Sequence, residues 1–197
     1  MRIPAPAWLR ACIMALLVLF AWLPAHAQDS ASDAQRASYV MQLFRETCAA
    51  NFSDPGKNAE VAKKYGFPVS PAYAAELLYG KPGKVWDASA GGSGAVALVL
   101  IEAGGWTCQV HARNTDPELL QRRFSTLMEN LKSPGMKVEK YDQRRGAQGA
   151  AVLEQAGYFL FQEGKELGWS FGLTTSTTNV GGWHASFTVA PTQRKER

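Results

Sequence analysis

The chain has 197 residues, of which 46% are hydrophobic, 19% charged and 11% aromatic, and its formal net charge is +4. This composition is too apolar and too aromatic for an intrinsically disordered chain, and its glycine and proline content excludes collagen-like and low-complexity classes. The basic residues are scattered as pairs and do not form one stripe, so we expect no nucleic-acid partner.

The first 27 residues have the pattern of a secretory signal peptide. Arg2 and Arg10 give a positively charged start, an apolar run covers residues 13–23, and the tripeptide Ala-His-Ala at 25–27 fits the cleavage rule. An uncleaved membrane anchor is the alternative, but the run is shorter than the about 20 apolar residues that a spanning helix needs. We therefore expect cleavage before Gln28, a periplasmic or secreted product, and no membrane span after cleavage.

Removing the predicted signal peptide changes the charge and the cysteine count. It leaves 170 residues and lowers the formal net charge from +4 to +2, because Arg2 and Arg10 are lost. Cys12 is lost too, and the remaining pair, Cys48 and Cys108, predicts a disulfide bond in an oxidising compartment. Free buried thiols or a reactive thiol are the alternative. A length of 170 residues is typical of one domain.

Helical patterns come first in the remaining chain. Residues 28–36 are polar and are predicted to form a flexible N-terminal segment, followed by a single domain over 37–192 and a charged tail at 193–197. The domain opens with a helix whose apolar stripe includes Cys48. A loop with turn residues at 54–56 is predicted next, then a short helix over 57–65 with Gly66 as its cap, and then a helix that begins at Ser70 and Pro71.

From about residue 95 the pattern becomes that of strands. One further helix is inserted at about 116–131, and the run at 95–101 is apolar on both faces, so we expect both sides of it to be covered. Hairpin-like pairs without a strand–helix–strand rhythm predict an α+β fold, with the N-terminal helices packed on an antiparallel sheet of about six strands. A bulge is expected at Gly157, and residues 85–88 are a short further candidate for a strand. The six predicted strands cover residues 95–101, 107–113, 136–141, 151–162, 167–176 and 183–189.

The position of Cys108 predicts which face of the sheet the helices cover. Cys108 shares one strand face with apolar residues, and a bond to Cys48 would tie the first helix to that face. The opposite face should then be polar, and it is the binding surface that we predict. Its candidate residues are Gln109, His111, Arg113, Ser170, His184 and Ser186.

The catalytic motifs in the sequence are weak. Residues 168–172 match G-x-S-x-G, but Ser170 is followed by strand-like sequence, and the order of acid and histidine that α/β-hydrolases need is absent. His111 and His184, the two histidines left after cleavage, lack the close spacing and number of ligands that zinc requires. We therefore predict no catalytic residue, no metal site and no cofactor.

Two Gly-Gly-Trp sequences, at 104–106 and 181–183, each precede an alternating strand. They could present exposed aromatic rings that hold a sugar or a peptide. The alternative, which we favour, is a glycine turn followed by a tryptophan that packs, because Trp183 shares the apolar face of its strand with Ala185.

A set of positions between residues 42 and 112 occurs in a characteristic order. The set consists of Phe44 with Cys48, Ala62 to Gly66, Pro82-Gly83 with Trp86, Leu98-Val99-Leu100, Gly105, and Cys108 with Val110. Over this stretch the chain resembles an uncharacterised family of small secreted proteobacterial proteins. The resemblance implies export and the disulfide bond, and it brings no established activity from which a catalytic residue could be transferred.

These observations predict an exported, non-catalytic binding or protein-interaction module of the cell envelope, with an envelope or secreted protein as its partner. An envelope hydrolase with a non-standard site is one alternative, and a cleft in which His111 or His184 meets a carboxylate and a hydroxyl would favour it. An inhibitor or immunity-type protein is another, and a large exposed apolar patch would favour it.

Overall fold

The computed structural model describes residues 25–89, 93–180 and 182–193, without side-chain detail at 25–31, 148 and 179. Most of the predicted signal peptide, residues 1–24, and most of the charged tail, residues 194–197, lie outside the described residues. The chain divides into two compact units, residues 1–32 and residues 33–197. Of the first unit only residues 25–32 are described, and they are helical.

Three of the four described helices begin in the same way. Helix α1 covers Ala25–Phe44 and continues into a π-helical turn, Arg45–Ala49, whereas α2 (Pro55–Tyr65), α3 (Pro71–Leu78) and α4 (Pro117–Asn130) each have proline at the first position. The preceding side chains of Asp54, Ser70 and Asp116 accept hydrogen bonds from the backbone N of Lys57 (3.0 Å), Tyr73 (3.4 Å) and Leu119 (2.9 Å). Asp54 therefore caps α2, which begins earlier than the expected loop at 54–56 allows.

Helix α1 begins earlier than the sequence predicts, and Gly66 has a different backbone conformation from the expected cap. Residues 28–36, expected to be flexible, belong to α1; this stretch contains no glycine or proline, and the Arg36 guanidinium donates to Asp33 and to the backbone O of Asn114. Gly66 does follow α2, but with an extended backbone (φ −159°). A Cβ on Gly66 would lie 2.3 Å from the Asp87 backbone O. Glycine is therefore needed at 66 because the end of α2 comes too close to the backbone at Asp87 for a side chain to fit.

The strands form one antiparallel sheet, as predicted, with eight described strands instead of about six. The strands are β1 Phe67–Pro68, β2 Gly83–Asp87, β3 Val96–Ile101, β4 Thr107–Ala112, β5 Met136–Gln148, β6 Ala151–Gln162, β7 Leu167–Val180 and β8 Trp183–Gln193. The extra strands are β1, which has only two residues, and β2, which contains most of the short candidate at 85–88. In two runs, β1 to β4 and β5 to β8, each strand pairs with the next, and the pairing of β4 with β8 joins the runs in the order β1-β2-β3-β4-β8-β7-β6-β5.

The bulge predicted at Gly157 of β6 lies in the facing strand β5 instead. The register shifts between Lys140 and Asp142, which makes Tyr141 the extra residue. The Tyr141 ring lies over Gly157, since a Cβ added there would come within 2.5 Å of the Tyr141 Cζ. Glycine at 157 therefore gives room to a ring of the neighbouring strand and does not kink its own strand.

The main hydrophobic core lies between the sheet and helices α1, α2 and α4. Phe44 of α1, Phe124 of α4 and Phe187 of β8 are fully buried and contact one another, with ring centroids 4.7 to 6.1 Å apart. Cys48 and Cys108 form the predicted disulfide bond, with Cα atoms 5.5 Å apart. The prediction that the helices cover the Cys108 face is confirmed for α1, α2 and α4.

Helix α3 packs on the opposite face, at the β2–β3 end of the sheet. Leu77 and Leu78 of α3 form a second buried cluster with Val85, Val99 and their neighbours. Every residue of β3 is buried, which confirms the expectation that this strand is covered on both sides. The polar character expected of the opposite face therefore begins only beyond β3.

We expect the double variant Cys48→Ala/Cys108→Ala to have a free energy of unfolding about 4 kcal/mol below that of the oxidised protein, because the bond closes a loop with a sequence separation of 60 residues. Urea denaturation with and without reductant measures this difference. Reductant should move the wild-type curve to that of the variant and leave the variant unchanged. Superimposable curves for the oxidised wild type and the variant would contradict the structure.

Candidate functional site

Beyond α3, the sheet face opposite the main core carries small polar side chains. On β7, Ser170, Gly172 and Thr174 alternate with the buried core residues Phe171 and Leu173, and β8 shows the same alternation. All members of this surface are half-buried, and none is charged. We call it the open face, and it consists of Gln109 (β4), Ser186 and Thr188 (β8), Ser170, Gly172 and Thr174 (β7) and Gln155 (β6).

Strand register arranges the open face in rows that run across the sheet. One row passes from His111 through Ser186 and Thr174 to Gln155, each paired with the next. The next row passes from Gln109 through Thr188 and Gly172 to Gly157. Side chains directly opposite on neighbouring strands have Cβ atoms about 4.5–5.5 Å apart. Residues distant in the sequence therefore form one continuous surface.

Gly172 leaves a notch in the middle of the open face. A Cβ added at Gly172 would meet no atom within 4 Å, and Gly172 is not among the residues with positive φ. Two neighbouring glycines differ: a Cβ on Gly168 would lie 2.5 Å from the Leu160 backbone O, and one on Gly157 would strike Tyr141, whereas Gly146 near the end of β5 also meets nothing within 4 Å. The fold itself therefore does not require a glycine at 172.

The side chains around this space define what we call the Gly172 notch. Thr188 lies beside Gly172 on β8, Ser170 and Thr174 lie along β7, and the Tyr141 ring covers Gly157 on the remaining side. Tyr141 is 42% exposed and stacks on Phe159 with centroids 4.0 Å apart and an interplanar angle of 21°. The notch therefore has hydroxyl groups on three sides and an aromatic ring that also carries a hydroxyl on the fourth.

Hydrogen bonds hold two of these hydroxyl groups. Ser170 Oγ donates to the backbone O of Ala190 (3.3 Å), and Gln155 Nε2 donates to Thr174 Oγ1 (3.4 Å). Each hydroxyl keeps unused hydrogen-bonding capacity, because a hydroxyl oxygen has one donor and two acceptor positions. The floor of the notch is therefore ordered yet still able to bind a polar ligand.

An ion pair lies at the β5 rim of the open face. The Arg144 guanidinium binds the Asp142 carboxylate through Nε (2.8 Å) and Nη2 (2.7 Å), and this hydrogen bonding lowers the pKa of Asp142 and raises the pKa of Arg144. Burial, together with Asp142, raises the pKa of Tyr141, which keeps its hydroxyl protonated. Beyond Gln155 the face adjoins a cleft of about 650 Å³, which Gly146 and the arginines of the β5–β6 hairpin help to line.

His111 is buried at the border between the open face and the second hydrophobic cluster, which Leu77 and Leu78 of α3 form with the sheet. Its Nε2 donates to Gln109 Oε1 at 3.2 Å, as the acceptor oxygen requires, while Nδ1 is buried without a partner among the described residues. The Trp183 ring lies 5.4 Å from the imidazole, and the Arg113 Cζ lies 4.8 Å from the Trp183 centroid. Burial lowers the pKa of His111 to about 4, so the imidazole is neutral at pH 7.

The structure reverses the predicted placement of Trp183. Alternation put Trp183 on the core face with Ala185, but its ring packs against His111 and Arg113 on the other face. The reason is the irregular β7–β8 register, which is interrupted after Thr175 and resumes only where Val180 pairs with Trp183.

His184, another predicted binding residue, follows Trp183 at the start of β8 and is half-buried. Its Nδ1 accepts a hydrogen bond from the backbone N of Asn114 at 2.9 Å, and burial lowers its pKa. Gln109, His111 and Ser186 do lie together, whereas Ser170 lies at the other side of Gly172 and Arg113 is stacked on Trp183.

The two motifs with alternative interpretations have a structural explanation. Ser170 is in the middle of β7 and not in a strand-to-helix turn, so the G-x-S-x-G sequence is strand. Trp106 contacts Trp169 (centroids 5.5 Å apart) and packs against the main core. Both tryptophans of the Gly-Gly-Trp sequences therefore pack against the protein itself. Among the described residues, no group of three or more His, Cys, Asp or Glu side chains could hold a metal ion.

The chain matches no protein-family model, no curated protein and no solved structure. The resemblance to the uncharacterised secreted family therefore stays a prediction. Of the helices within the described ranges, none is both long enough and apolar enough to span a membrane.

Two glycines of β7 should respond differently to substitution. Gly168→Ala should lower the free energy of unfolding by about 1–3 kcal/mol, because its Cβ would strike the Leu160 backbone O. Gly172→Ala should leave stability unchanged or raise it by about 0.5–1 kcal/mol, since an alanine restricts the unfolded chain and meets nothing in the folded one. Urea denaturation of both variants checks this, and a destabilised Gly172→Ala would show that the notch is occupied by the protein itself.

Stability should also fall at acidic pH because of His111. Above pH 6.5 the imidazole is neutral in both states; below it the unfolded chain takes up a proton that the folded chain accepts only near pH 4. The loss between pH 6.5 and 4 should approach about 3 kcal/mol.

Urea denaturation across this pH range measures the effect, with His111→Leu as the variant that removes the group. His111→Leu should lose most of the pH dependence relative to wild type, while His184→Gln should keep most of it. An unchanged pH dependence in His111→Leu would contradict the assignment.

Proposed function

We propose that this protein is an exported, non-catalytic binding module of the cell envelope that binds its partner with the open face. The observation that carries the proposal is Gly172. A glycine in the interior of a strand costs about 0.5–1 kcal/mol relative to alanine, and such glycines mark close approach of a ligand or another backbone. The space over Gly172 is empty of protein atoms within 4 Å of a built Cβ, so close approach of a partner is the reason that remains for this glycine.

The surroundings of the histidines support binding over hydrolysis. The hydrolase alternative needs a histidine beside a carboxylate and a hydroxyl. His111 is buried and bonded to the Gln109 amide, and His184 accepts from a backbone N–H. The open face, in contrast, is an accessible and ordered polar surface. The Cys48–Cys108 bond is compatible with the oxidising compartment that export implies.

Comparison of the wild type with Gly172→Val tests the proposal. Valine suits a strand, and its side chain would fill the notch without striking protein atoms near the Cβ. Each protein, with its disulfide intact, is immobilised and exposed to an envelope extract, and bound proteins and sugars are quantified. We expect at least one component to be retained by wild type and reduced about tenfold or more by Gly172→Val.

Thr126→Val is the matched control, because Thr126 is exposed on α4 at the other side of the sheet. It should retain the component at the wild-type level. Identical profiles for wild type, Gly172→Val and Thr126→Val would overturn the proposal that the open face binds a partner.

A further inference from the structure

We infer that the Gly172 notch binds an uncharged glycan, a chain of pyranose units. This inference rests on the proposed function and names the chemical class of the partner. It follows from the hydrogen-bonding groups, the charge and the backbone pairing of the notch.

The first argument is the match of hydrogen-bonding groups. Ser170, Thr174 and Thr188 present hydroxyl groups, and Gln109 and Gln155 add amides on either side of them. Hydroxyl and amide groups both donate and accept, as do the hydroxyl groups of a sugar. The Tyr141 ring, stacked on Phe159 and partly exposed, supplies the apolar surface against which the C–H groups of a pyranose ring can pack.

The second argument is charge. None of the residues that line the Gly172 notch is charged, the neighbouring Asp142 carboxylate is bound by Arg144, and the buried His111 imidazole bonds to an amide. An ionic ligand seated in the notch would lose hydration without gaining a counter-charge there. The arginines of the β5–β6 hairpin lie beyond Gln155, outside the notch, so an acidic glycan is the discriminating comparison.

The third argument is backbone pairing, which favours a glycan over a peptide. Extended peptides add to sheets through free backbone groups at an edge. Gly172 pairs with Gly157 on one side and with Thr188 on the other, so β7 is an interior strand at this point. A ligand above Gly172 therefore meets side chains, chiefly hydroxyl groups, and the adjoining cleft of about 650 Å³ offers room for further sugar units.

The test is titration of the purified, oxidised protein with cellohexaose, chitohexaose and the acidic hexamer of galacturonic acid, followed by calorimetry and by amide chemical shifts. We expect a neutral hexasaccharide to bind and to shift the amides of β7 and β8, and the acidic hexamer to bind more weakly. Gly172→Val and Tyr141→Leu should each weaken binding about tenfold, and Tyr141→Phe, which keeps the ring, should weaken it less than Tyr141→Leu. Thr126→Val should stay near the wild-type affinity.

Three results would overturn the inference: no neutral hexasaccharide binding at millimolar concentration, tighter binding of the acidic hexamer, or equal affinity for wild type and Gly172→Val. Failure here is distinguishable from failure of the proposed function. If an extract component that depends on Gly172 proves to be a protein while the hexasaccharides do not bind, the glycan inference is wrong and the binding role of the open face stands. If no extract component depends on Gly172, the proposed function fails as well.

Discussion

The contact among Phe44, Phe124 and Phe187 is the interaction on which the arrangement of this protein depends. It joins α1, α4 and β8 on one side of the sheet, and the Cys48–Cys108 bond, which follows Phe44 by about one helical turn, fastens the same side covalently. Because the three rings are buried on one side of the sheet, the helices that shield them from water must lie on that side. Most of the helical cover is therefore committed to one side, and strands β4, β8, β7 and β6 keep an uncovered polar surface on the other.

Successive residues of these strands point to opposite faces of the sheet, and the two faces have opposite requirements. Phe171 and Leu173 need tight packing, whereas Gly172 between them keeps space empty. The strand thus gives up local stability at one position inside an otherwise well-packed segment. A position of this kind is typical of binding surfaces, where stability is exchanged for access to a partner. Stability is also given up at the buried His111 nearby, in this case below pH 6.5, because burial lowers the pKa of the imidazole to about 4.

The sequence predicts those features of the fold that depend on short-range patterns. The antiparallel α+β fold, the Cys48–Cys108 bond and the helix-covered Cys108 face all follow from alternation and cysteine placement. The same alternation on β7 and β8 also places Gly172 and Thr188 on the polar face, although their value as site residues becomes visible only with the empty space above Gly172. The sequence could not place Tyr141 on the open face, because the bulge in β5 decides which face its side chain occupies and no local pattern predicts that bulge. Trp183 was misplaced for the same kind of reason, since the register irregularity between β7 and β8 depends on pairing partners that a pattern does not name.

The position of β8 in the sheet has a consequence for how the molecule is assembled. β8 is the last described strand in the chain, yet it lies in the centre of the sheet between β4 and β7. Until β8 is in place, the two runs of strands are separate sheets with unpaired edges at β4 and β7, and such edges invite pairing with other molecules. Completing the sheet therefore awaits the contact between β4 and β8, which are far apart in the sequence, and contacts of this kind are slow to form. A nascent or truncated chain without β8 is accordingly a candidate for chaperone binding, because its two exposed edges are the ones that the finished protein conceals.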